Sequence, residues 1–276
     1  MDYTEVRFYN DASLNEAIIA WLGDNDFDMF EERTDGVNAY IEAKLFIEDN
    51  LKKVLLSIPG SGENIRYETS FIKDQNWNKK WESNFEPVCI AGSVYIRAPF
   101  HPKSEEFLHE IIIEPKMSFG TGHHPTTSLM IQCILKLSLK NKVILDMGCG
   151  TAILSILADK MGAKNIMAID IEEWAYKNSL ENCEMNNVKN ISIFKGDVSL
   201  IKENKFDIIF ANINRNILLN DLQFYSNSLI SGGEILLSGI LISDKEIINQ
   251  CAVKNGLSYL TEAEENNWLA LHYIKN

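Results

Sequence analysis

The sequence contains few cysteines, and they follow no regular spacing. Five occur in 276 residues, at positions 89, 133, 149, 183 and 251. None of their separations is typical of a structural zinc site, and an odd number cannot form a complete disulfide framework. We therefore expect free thiols, no metal site, and a protein of a reducing compartment such as the cytoplasm.

Long apolar runs are also missing. The sequence has no uninterrupted stretch of the roughly 18 apolar residues that a membrane helix needs. The segment Met1–Glu5 is acidic and is not followed by an apolar run, so we expect no secretory signal peptide. These features predict a soluble protein without a membrane partner, and we expect it to be a monomer.

Basic residues are scarce relative to acidic ones. The chain has 26 Lys and Arg against 39 Asp and Glu, a net charge of −13. Most of the excess lies in residues 1–49, which hold 13 acidic and 3 basic residues. Autonomous nucleic-acid binding requires a basic face, so we expect no direct nucleic-acid partner. The acidic segment has two open interpretations: a solvated surface, or a surface that attracts a basic protein partner.

Residues 1–72 show the pattern of a small α+β domain. Alternating apolar positions predict strands at 3–9, 27–32, 37–43 and 65–71, and helical spacing predicts helices at 13–22 and 48–58. The order β-α-β-β-α-β is that of a ferredoxin-like domain. We expect a linker over 73–86, with a helix at 74–82, and a second domain over 87–276.

In the second domain, apolar strands alternate with helices from residue 142 onward. This alternation predicts an α/β fold with a doubly wound, Rossmann-like sheet of seven strands covered by helices on both faces. The predicted strands are 143–147, 166–170, 191–195, 206–211, 233–239, 257–261 and 267–273, and the predicted helices are 152–162, 172–186, 214–230 and 243–255. Upstream, we predict a strand over 88–97 and a helix over 125–140.

A strand that ends in an acid and breaks into glycines lies at residues 143–152. Asp146 comes two residues before Gly148, and Gly148 and Gly150 allow a sharp turn and a close approach of the backbone to a ligand. The next strand ends at Asp170, twenty residues after Gly150, where nucleotide-binding folds place the acid that accepts ribose hydroxyls. This spacing predicts an adenosine cofactor.

Two residues favour S-adenosylmethionine over NAD as that cofactor. A carboxylate at Asp146 suits a cofactor end that carries an ammonium group, whereas NAD carries phosphates there. Ile153 stands where the third glycine of a dinucleotide-binding turn is expected. We therefore predict that Asp146, Gly148, Gly150 and Asp170 bind S-adenosylmethionine.

Three further residues are candidates for the same site. Thr127 lies in the first turn of a helix, where free amides favour a carboxylate, and it is equally well interpreted as an ordinary helix-start residue. Asp197 follows a strand and could accept the exocyclic amine of adenine, or it could be a simple turn acid. Asn212 ends a buried strand beside the expected methyl group, where its carbonyl could orient an attacking amine.

Together these motifs resemble the PrmA family, the methyltransferases of ribosomal protein L11. The resemblance rests on F-G-T-G-x-H-P-T-T at 119–127, D-x-G-C-G-T at 146–151, A-I-D-I at 168–171, A-N-I at 211–213 and L-S-G-I-L at 237–241. It implies a class I methyltransferase fold preceded by a ferredoxin-like, substrate-grasping domain. It also implies that Thr127, Gly148, Asp170 and Asn212 contact S-adenosylmethionine, with Asn212 and Phe119 as candidate catalytic residues.

The resemblance implies a protein substrate. The expected reaction is N-methylation of lysine side chains, and of the α-amine, of ribosomal protein L11 in the large subunit. The alternative is an RNA or small-molecule methyltransferase on the same fold.

Overall fold

The computed structural model describes residues 2–11, 14–23, 25–57, 65–72, 86–115 and 120–276. The chain forms two compact units, Met1–Phe85 and Glu86–Asn276. The helix expected at 74–82 lies outside the described residues. Within the described ranges, no helix is both long enough and apolar enough to cross a membrane.

The described residues of the first unit form a four-stranded antiparallel sheet and two helices. Its elements are β1 (Tyr3–Tyr9), α1 (Asn15–Gly23), β2 (Phe27–Arg33), β3 (Gly36–Glu42), α2 (Glu48–Ser57) and β4 (Arg66–Ile72). The strand order is β2-β3-β1-β4, so the two strands that precede the helices, β1 and β3, pair in the middle. Alternate residues of β1, including Val6 and Phe8, are buried against Ile18 and Leu22 of α1, which explains the period of two in the sequence.

The second unit begins with a small three-stranded sheet of β5 (Val88–Ile90), β6 (Val94–Arg97) and β7 (His109–Ile112). The single strand predicted over 88–97 is wrong. The chain reverses between β5 and β6 because Ala91 and Gly92 adopt left-handed conformations with φ of 51° and 62°. The two short strands then pair with each other, Val88 opposite Ile96.

The helix predicted over 125–140 is also too long, since α3 spans Pro125–Ile134. Its continuation would carry the chain away from the sheet, but Leu139 is buried in the core. Asn141 then takes a φ of 65°, and this lets the chain enter the first strand of the large sheet. Tertiary packing therefore overrides helical periodicity here.

The large sheet has seven strands in the order β10-β9-β8-β11-β12-β14-β13. The remaining elements are β8 (Val143–Met147), α4 (Ile153–Lys160), β9 (Asn165–Asp170), α5 (Glu173–Met185), β10 (Ile191–Lys195), β11 (Phe206–Asn212), α6 (Arg215–Ser228), β12 (Leu229–Leu241), α7 (Lys245–Lys254), β13 (Leu257–Glu265) and β14 (Trp268–Lys275). All pairs from β10 to β12 are parallel, whereas β14 runs antiparallel to both β12 and β13.

The strand order reverses direction at β8. The chain moves outward from β8 to β9 and β10, then returns to place β11 on the other side of β8. Two hydrophobic clusters cover the two faces of the sheet, one packed around α3 and α4 and the other around α6 and α7. In open α/β sheets such a reversal leaves a crevice beyond the carboxyl ends of the central strands, and ligands bind there.

Candidate cofactor site

A cavity of about 260 Å³ lies at the carboxyl ends of β8, β9, β10 and β11. Five of the residues that the sequence predicts for cofactor binding line it: Gly148, Gly150, Asp170, Asp197 and Asn212. The cavity therefore coincides with the crevice that the strand order creates.

The turn after β8 is held by its own backbone. The amides of Gly148 and Cys149 both donate to the carbonyl of Ile169, at 2.8 and 3.0 Å. Gly148 has a φ of 71°, and a side chain there would place Cβ 2.2 Å from Cγ2 of Ile213. Glycine at this position therefore keeps the floor of the cavity open as well as permitting the turn.

Asp170 is oriented by three backbone contacts. Its Oδ2 accepts a hydrogen bond from the Gly150 amide at 2.8 Å, and its Oδ1 accepts one from the Glu172 amide at 3.0 Å. Its own carbonyl accepts from the amide of Gly196 at 2.9 Å. The carboxylate is thereby fixed at the cavity wall, and each of its oxygens keeps a lone pair for a hydroxyl donor.

Asp146 occupies a different place from the one expected. It is 1% exposed and does not line the cavity. Its Oδ2 accepts hydrogen bonds from the amide of Ser155 at 3.1 Å and from the Ser155 hydroxyl at 2.6 Å, so it joins the end of β8 to the first turn of α4. Burial raises the pKa of Asp146 to about 6. Asp146 therefore holds the glycine turn against α4 and does not line the cavity, where the sequence predicts its contact with the cofactor's ammonium group.

Asn212 lines the cavity, and its side chain holds an unsatisfied acceptor. Its Oδ1 is buried and has no hydrogen-bond partner. Asn214, by contrast, caps α6 by accepting a hydrogen bond from the amide of Ile217 at 3.1 Å. A buried carbonyl without a donor is costly, so the position of Asn212 fits a group that donates from the cavity.

Asp197 is an exposed side chain at the cavity edge. It caps the short 3₁₀ helix Val198–Ile201, and its Oδ1 accepts from the amide of Ser199 at 2.9 Å. The hydrogen bonds from Ser199 lower the pKa of Asp197, so the carboxylate is charged at neutral pH. Asp197 is therefore a turn acid that also lines the cavity, and its contact with adenine stays a prediction.

The start of α3 contains the second orphaned group. Pro125 begins the helix, and the His124 side chain accepts from the amide of Thr126 at 3.3 Å. Thr127 is 1% exposed, and its Oγ1 has no partner. Thr127 does not line the cavity, and Phe119, the other predicted catalytic residue, lies outside the described residues.

The glycine turn is tied to the segment that precedes α3. The hydroxyl of Thr151 donates to the carbonyl of Gly120 at 2.7 Å. Asn182, which is fully buried on α5, donates to the carbonyl of Thr151 at 3.0 Å and accepts from the amide of Glu114 at 2.9 Å. Residues 114 and 120 are therefore both anchored to the cofactor turn.

Comparison with known proteins identifies the family. Residues 11–276 match the model of the family described as ribosomal protein L11 methyltransferase (PrmA). The chain is 42% identical over 279 residues to the ribosomal protein L11 methyltransferase of Phocaeicola vulgatus, covering 99% of each chain. It is also 42% identical over 260 residues to that of Porphyromonas gingivalis, covering 94% of this chain and 90% of the relative.

The chain belongs to the ribosomal protein L11 methyltransferase family. Among solved structures, the crystal structure of ribosomal protein L11 methylase from Lactobacillus delbrueckii subsp. bulgaricus is similar, with a TM-score of 0.65 and 26% identity over 70% of this chain and 100% of that one. A methyltransferase from Pyrococcus furiosus shares the fold, with a TM-score of 0.51 and 22% identity over 60% of this chain and 89% of that one. The second unit therefore has the class I methyltransferase fold, and the cofactor of the family is S-adenosylmethionine.

The residues present fit that cofactor. Two of the predicted residues hold a buried polar atom without a partner: Asn212 Oδ1, in a residue that lines the cavity, and Thr127 Oγ1, in a residue outside the cavity lining. The missing Cβ of Gly148 leaves space beside Ile213, and Asp170 offers two fixed acceptors. A nucleoside with a vicinal diol and a polar tail matches this set.

Sequence reasoning missed several residues that line the cavity: Ile171, Trp174, Val198, Ile213, Ile217 and Asp221. Ile171 follows Asp170 directly and is 64% exposed, which is unusual for an isoleucine after a buried strand. Ile217 and Asp221 lie four residues apart on α6, so they occupy the same face of the helix. The sequence shows only an isoleucine directly after the strand-end acid, and its exposure is visible in the structure alone.

Proposed function

We propose that this chain transfers methyl groups from S-adenosylmethionine to lysine side chains, and to the α-amine, of ribosomal protein L11. The observation that supports this most strongly is the buried, unpartnered Oδ1 of Asn212, which lies in the wall of the cavity at the end of β11. We infer that this carbonyl accepts a hydrogen bond from the attacking amine.

The proposed roles of the cofactor-binding residues follow from their contacts. Asp170 accepts the two ribose hydroxyls, since both of its oxygens are already oriented by backbone amides. Gly148 and Gly150 let the backbone approach the cofactor. Asp197 accepts the adenine amine, and the hydroxyl of Thr127, in the first turn of α3, donates to the methionine carboxylate.

Asp146 acts indirectly. Its bonds to Ser155 fix the turn between β8 and α4, and so position Gly148 and Gly150 against the ligand. Asp146 is therefore a positioning residue in this proposal.

Bound S-adenosylmethionine supplies a methyl group on a positively charged sulfur, which is open to direct displacement. The protein's contribution is to align the acceptor and to deliver it uncharged. A lysine amine with a pKa near 10.4 must lose its proton at a cost of about 4.6 kcal/mol at pH 7. Asn212 then orients the lone pair by accepting an N–H from the amine.

The proton leaves to water rather than to a protein base. His124, the histidine that precedes α3, uses Nδ1 to contact Thr126, and its ring packs edge-on against Trp268 with the ring centroids 4.8 Å apart. These contacts explain His124 as a helix cap. A pH profile of the single-turnover rate checks this. Burial lowers the pKa of His124, so a break below about pH 6.5 that His124→Ala removes would contradict proton loss to water.

We further propose that residues 1–72 form a ferredoxin-like domain that recognises the protein substrate, and that residues 73–86 link it to the catalytic domain over 87–276. The pairing of β1 with both β3 and β4 and the β-α-β-β-α-β order support the fold. The 13 acidic residues within 1–49 support attraction of a basic ribosomal protein. In this proposal the enzyme acts as a monomer in the cytoplasm, where ribosomal proteins are made.

Mass spectrometry of ribosomal protein L11 after incubation with the enzyme and S-adenosylmethionine tests the function. Wild type is expected to add mass in steps of one methylene to lysine-containing peptides. Asn212→Ala is expected to slow transfer about 100-fold, as removal of an aligned donor or acceptor does in other sites.

Asn214→Asp is the matched control. It changes an amide two residues away and keeps an acceptor for the cap of α6. Its activity is expected to stay near that of wild type. Unmodified L11 after incubation with wild type would sink the proposal, and salt-sensitive methylation of RNA instead would favour the alternative substrate.

A further inference from the structure

Two carboxylates from different elements face the same cavity. Asp197 follows β10, and Asp221 lies in the second turn of α6, four residues after Ile217. Both line the cavity together with Val198, the first residue of the 3₁₀ helix. α6 packs against that 3₁₀ helix, so the two acids approach the cavity from neighbouring walls.

The two carboxylates differ in their surroundings. Asp221 is partly buried, and its Oδ2 accepts a hydrogen bond from the hydroxyl of Tyr225 at 3.2 Å. Burial, and then the negative charge of Asp197, raise the pKa of Asp221. Two like charges that line one cavity are unfavourable without a donor between them.

We propose that Asp221 is a specificity-determining residue that, together with Asp197, accepts the two N–H groups of the exocyclic amine of the cofactor's adenine. This inference rests on the proposed function and adds to it the group that distinguishes adenine from other purines. One oxygen of each carboxylate accepts a hydrogen bond from within the protein. The donor to Asp197 is the amide of Ser199, and the donor to Asp221 is the hydroxyl of Tyr225. The amine supplies one hydrogen to each carboxylate, so a single group satisfies both.

The arrangement predicts rejection of a purine with a carbonyl at the same position. A 6-oxo group is an acceptor, and it would meet two further acceptors without a donor. Sites built around a hydrogen bond to a substrate discriminate against an analogue that leaves buried polar groups unpaired, and here the effect falls mainly on the partly buried Asp221, since Asp197 is exposed. The chemically matched pair of ligands is S-adenosylhomocysteine and S-inosylhomocysteine, which differ in that group.

Calorimetric titration of the full-length chain with each of these ligands tests the proposal. Wild type is expected to bind the adenosyl compound at least about 100-fold more tightly than the inosyl compound. Asp221→Asn replaces an acceptor by a side chain that can donate to a carbonyl. This variant is expected to bind the adenosyl compound more weakly and the inosyl compound more tightly, so the preference for the adenosyl compound falls about tenfold or more.

Two control variants separate this role from a structural one. Tyr225→Phe removes the hydroxyl that bonds Asp221 but leaves the carboxylate, so the preference is expected to persist. Glu246→Gln neutralises an exposed acid on α7 whose described bond is to Gln250, and neither affinity is expected to change. If Tyr225→Phe lowers the preference as much as Asp221→Asn does, Asp221 acts only through Tyr225 and the proposal is overturned.

The outcomes also distinguish this inference from the proposed function. If wild type binds the adenosyl compound less than about threefold more tightly than the inosyl compound, recognition of the exocyclic amine is refuted. This holds even if Asp221→Asn does not fold. Wild-type protein that binds neither ligand refutes the cofactor site itself, and with it the proposed function.

Discussion

The backbone amide of Gly150 donates a hydrogen bond of 2.8 Å to Oδ2 of Asp170, twenty residues further along the chain. The bond joins the two halves of the motif, the glycine turn after β8 and the acid at the end of β9. It sets the direction of the Asp170 carboxylate before any ligand binds. Such preorganisation reduces the entropy that a ligand must overcome on binding.

Asp170→Ala is expected to lower the affinity for S-adenosylhomocysteine by about 100-fold or more, because two hydrogen bonds to a charged acceptor are lost. Calorimetry gives the affinity directly. Asp159→Ala is a matched control, since Asp159 also accepts a backbone amide, that of Asn190, but lies outside the cavity lining. Equal losses in both variants would show that the effect is structural and not due to ribose binding.

Gly148→Ala is expected to weaken both cofactor binding and stability. The new methyl group would lie 2.2 Å from Cγ2 of Ile213, so the side chain or the turn must move into the cavity. Gly92→Ala provides the comparison, because Gly92 also has a positive φ, 62°, yet a Cβ there meets nothing within 4 Å. Thermal unfolding of both variants isolates the clash from the backbone strain, which costs about 1–2 kcal/mol at either position.

The double variant Gly148→Ala with Ile213→Ala extends this test. Removal of Cγ2 makes room for the methyl group, so the loss in stability is expected to be less than the sum of the two single losses. Strict additivity of the two changes would contradict the contact between these positions.

The raised pKa of the buried Asp146 carboxyl group predicts that the stability of the folded protein depends on pH. Its pKa is about 6 in the folded protein against a reference of 3.8, because burial disfavours the charged form. Between these values the native state holds a proton that the unfolded chain has lost, so stability falls as pH rises through this window and is constant above it. The change is of the order of 3 kcal/mol.

Asp146→Asn removes the titrating group and keeps an acceptor for Ser155. We expect urea denaturation to show that the free energy of unfolding of Asp146→Asn, relative to that of wild type, rises by about 3 kcal/mol from pH 4 to pH 7. Asp159→Asn, at a partly exposed acid, is expected to show no comparable gain. A constant difference between Asp146→Asn and wild type across this range would mean that Asp146 is charged throughout.

Removal of residues 1–72 is expected to preserve cofactor binding and abolish methylation of L11. The second unit, Glu86–Asn276, contains its own core and the whole described cavity lining. Calorimetry and mass spectrometry measure the two activities separately. Normal methylation of L11 by the shortened chain would show that the first domain does not recognise the substrate.

The sequence predicted most of the site because strand ends and spacing carry that information. Gly148, Gly150, Asp170, Asp197 and Asn212 were all placed at carboxyl ends of strands, and parallel strands bring such ends to one edge. Family resemblance added the reaction and the substrate, which no local pattern specifies.

Asp146 shows why position along a strand is not sufficient. Side chains alternate across a sheet, so Asp146 shares a face with Ile144, on the side of α4, while Met147 points to the other side and lines the cavity. The sequence motif identifies the residue at this position, but it does not show to which face of the sheet the side chain points. Asp221 was missed for a related reason. An acid on an amphipathic helix is usually solvated, and only the structure shows that this one lines the cavity.

The most direct test of the account is a crystal structure of the full chain with S-adenosylhomocysteine. We expect the ligand in the cavity at the ends of β8 and β11, with both ribose hydroxyls on Asp170, the adenine amine between Asp197 and Asp221, and the sulfur beside Asn212. Ligand density at another location, or ribose hydroxyls that do not contact Asp170, would contradict the account.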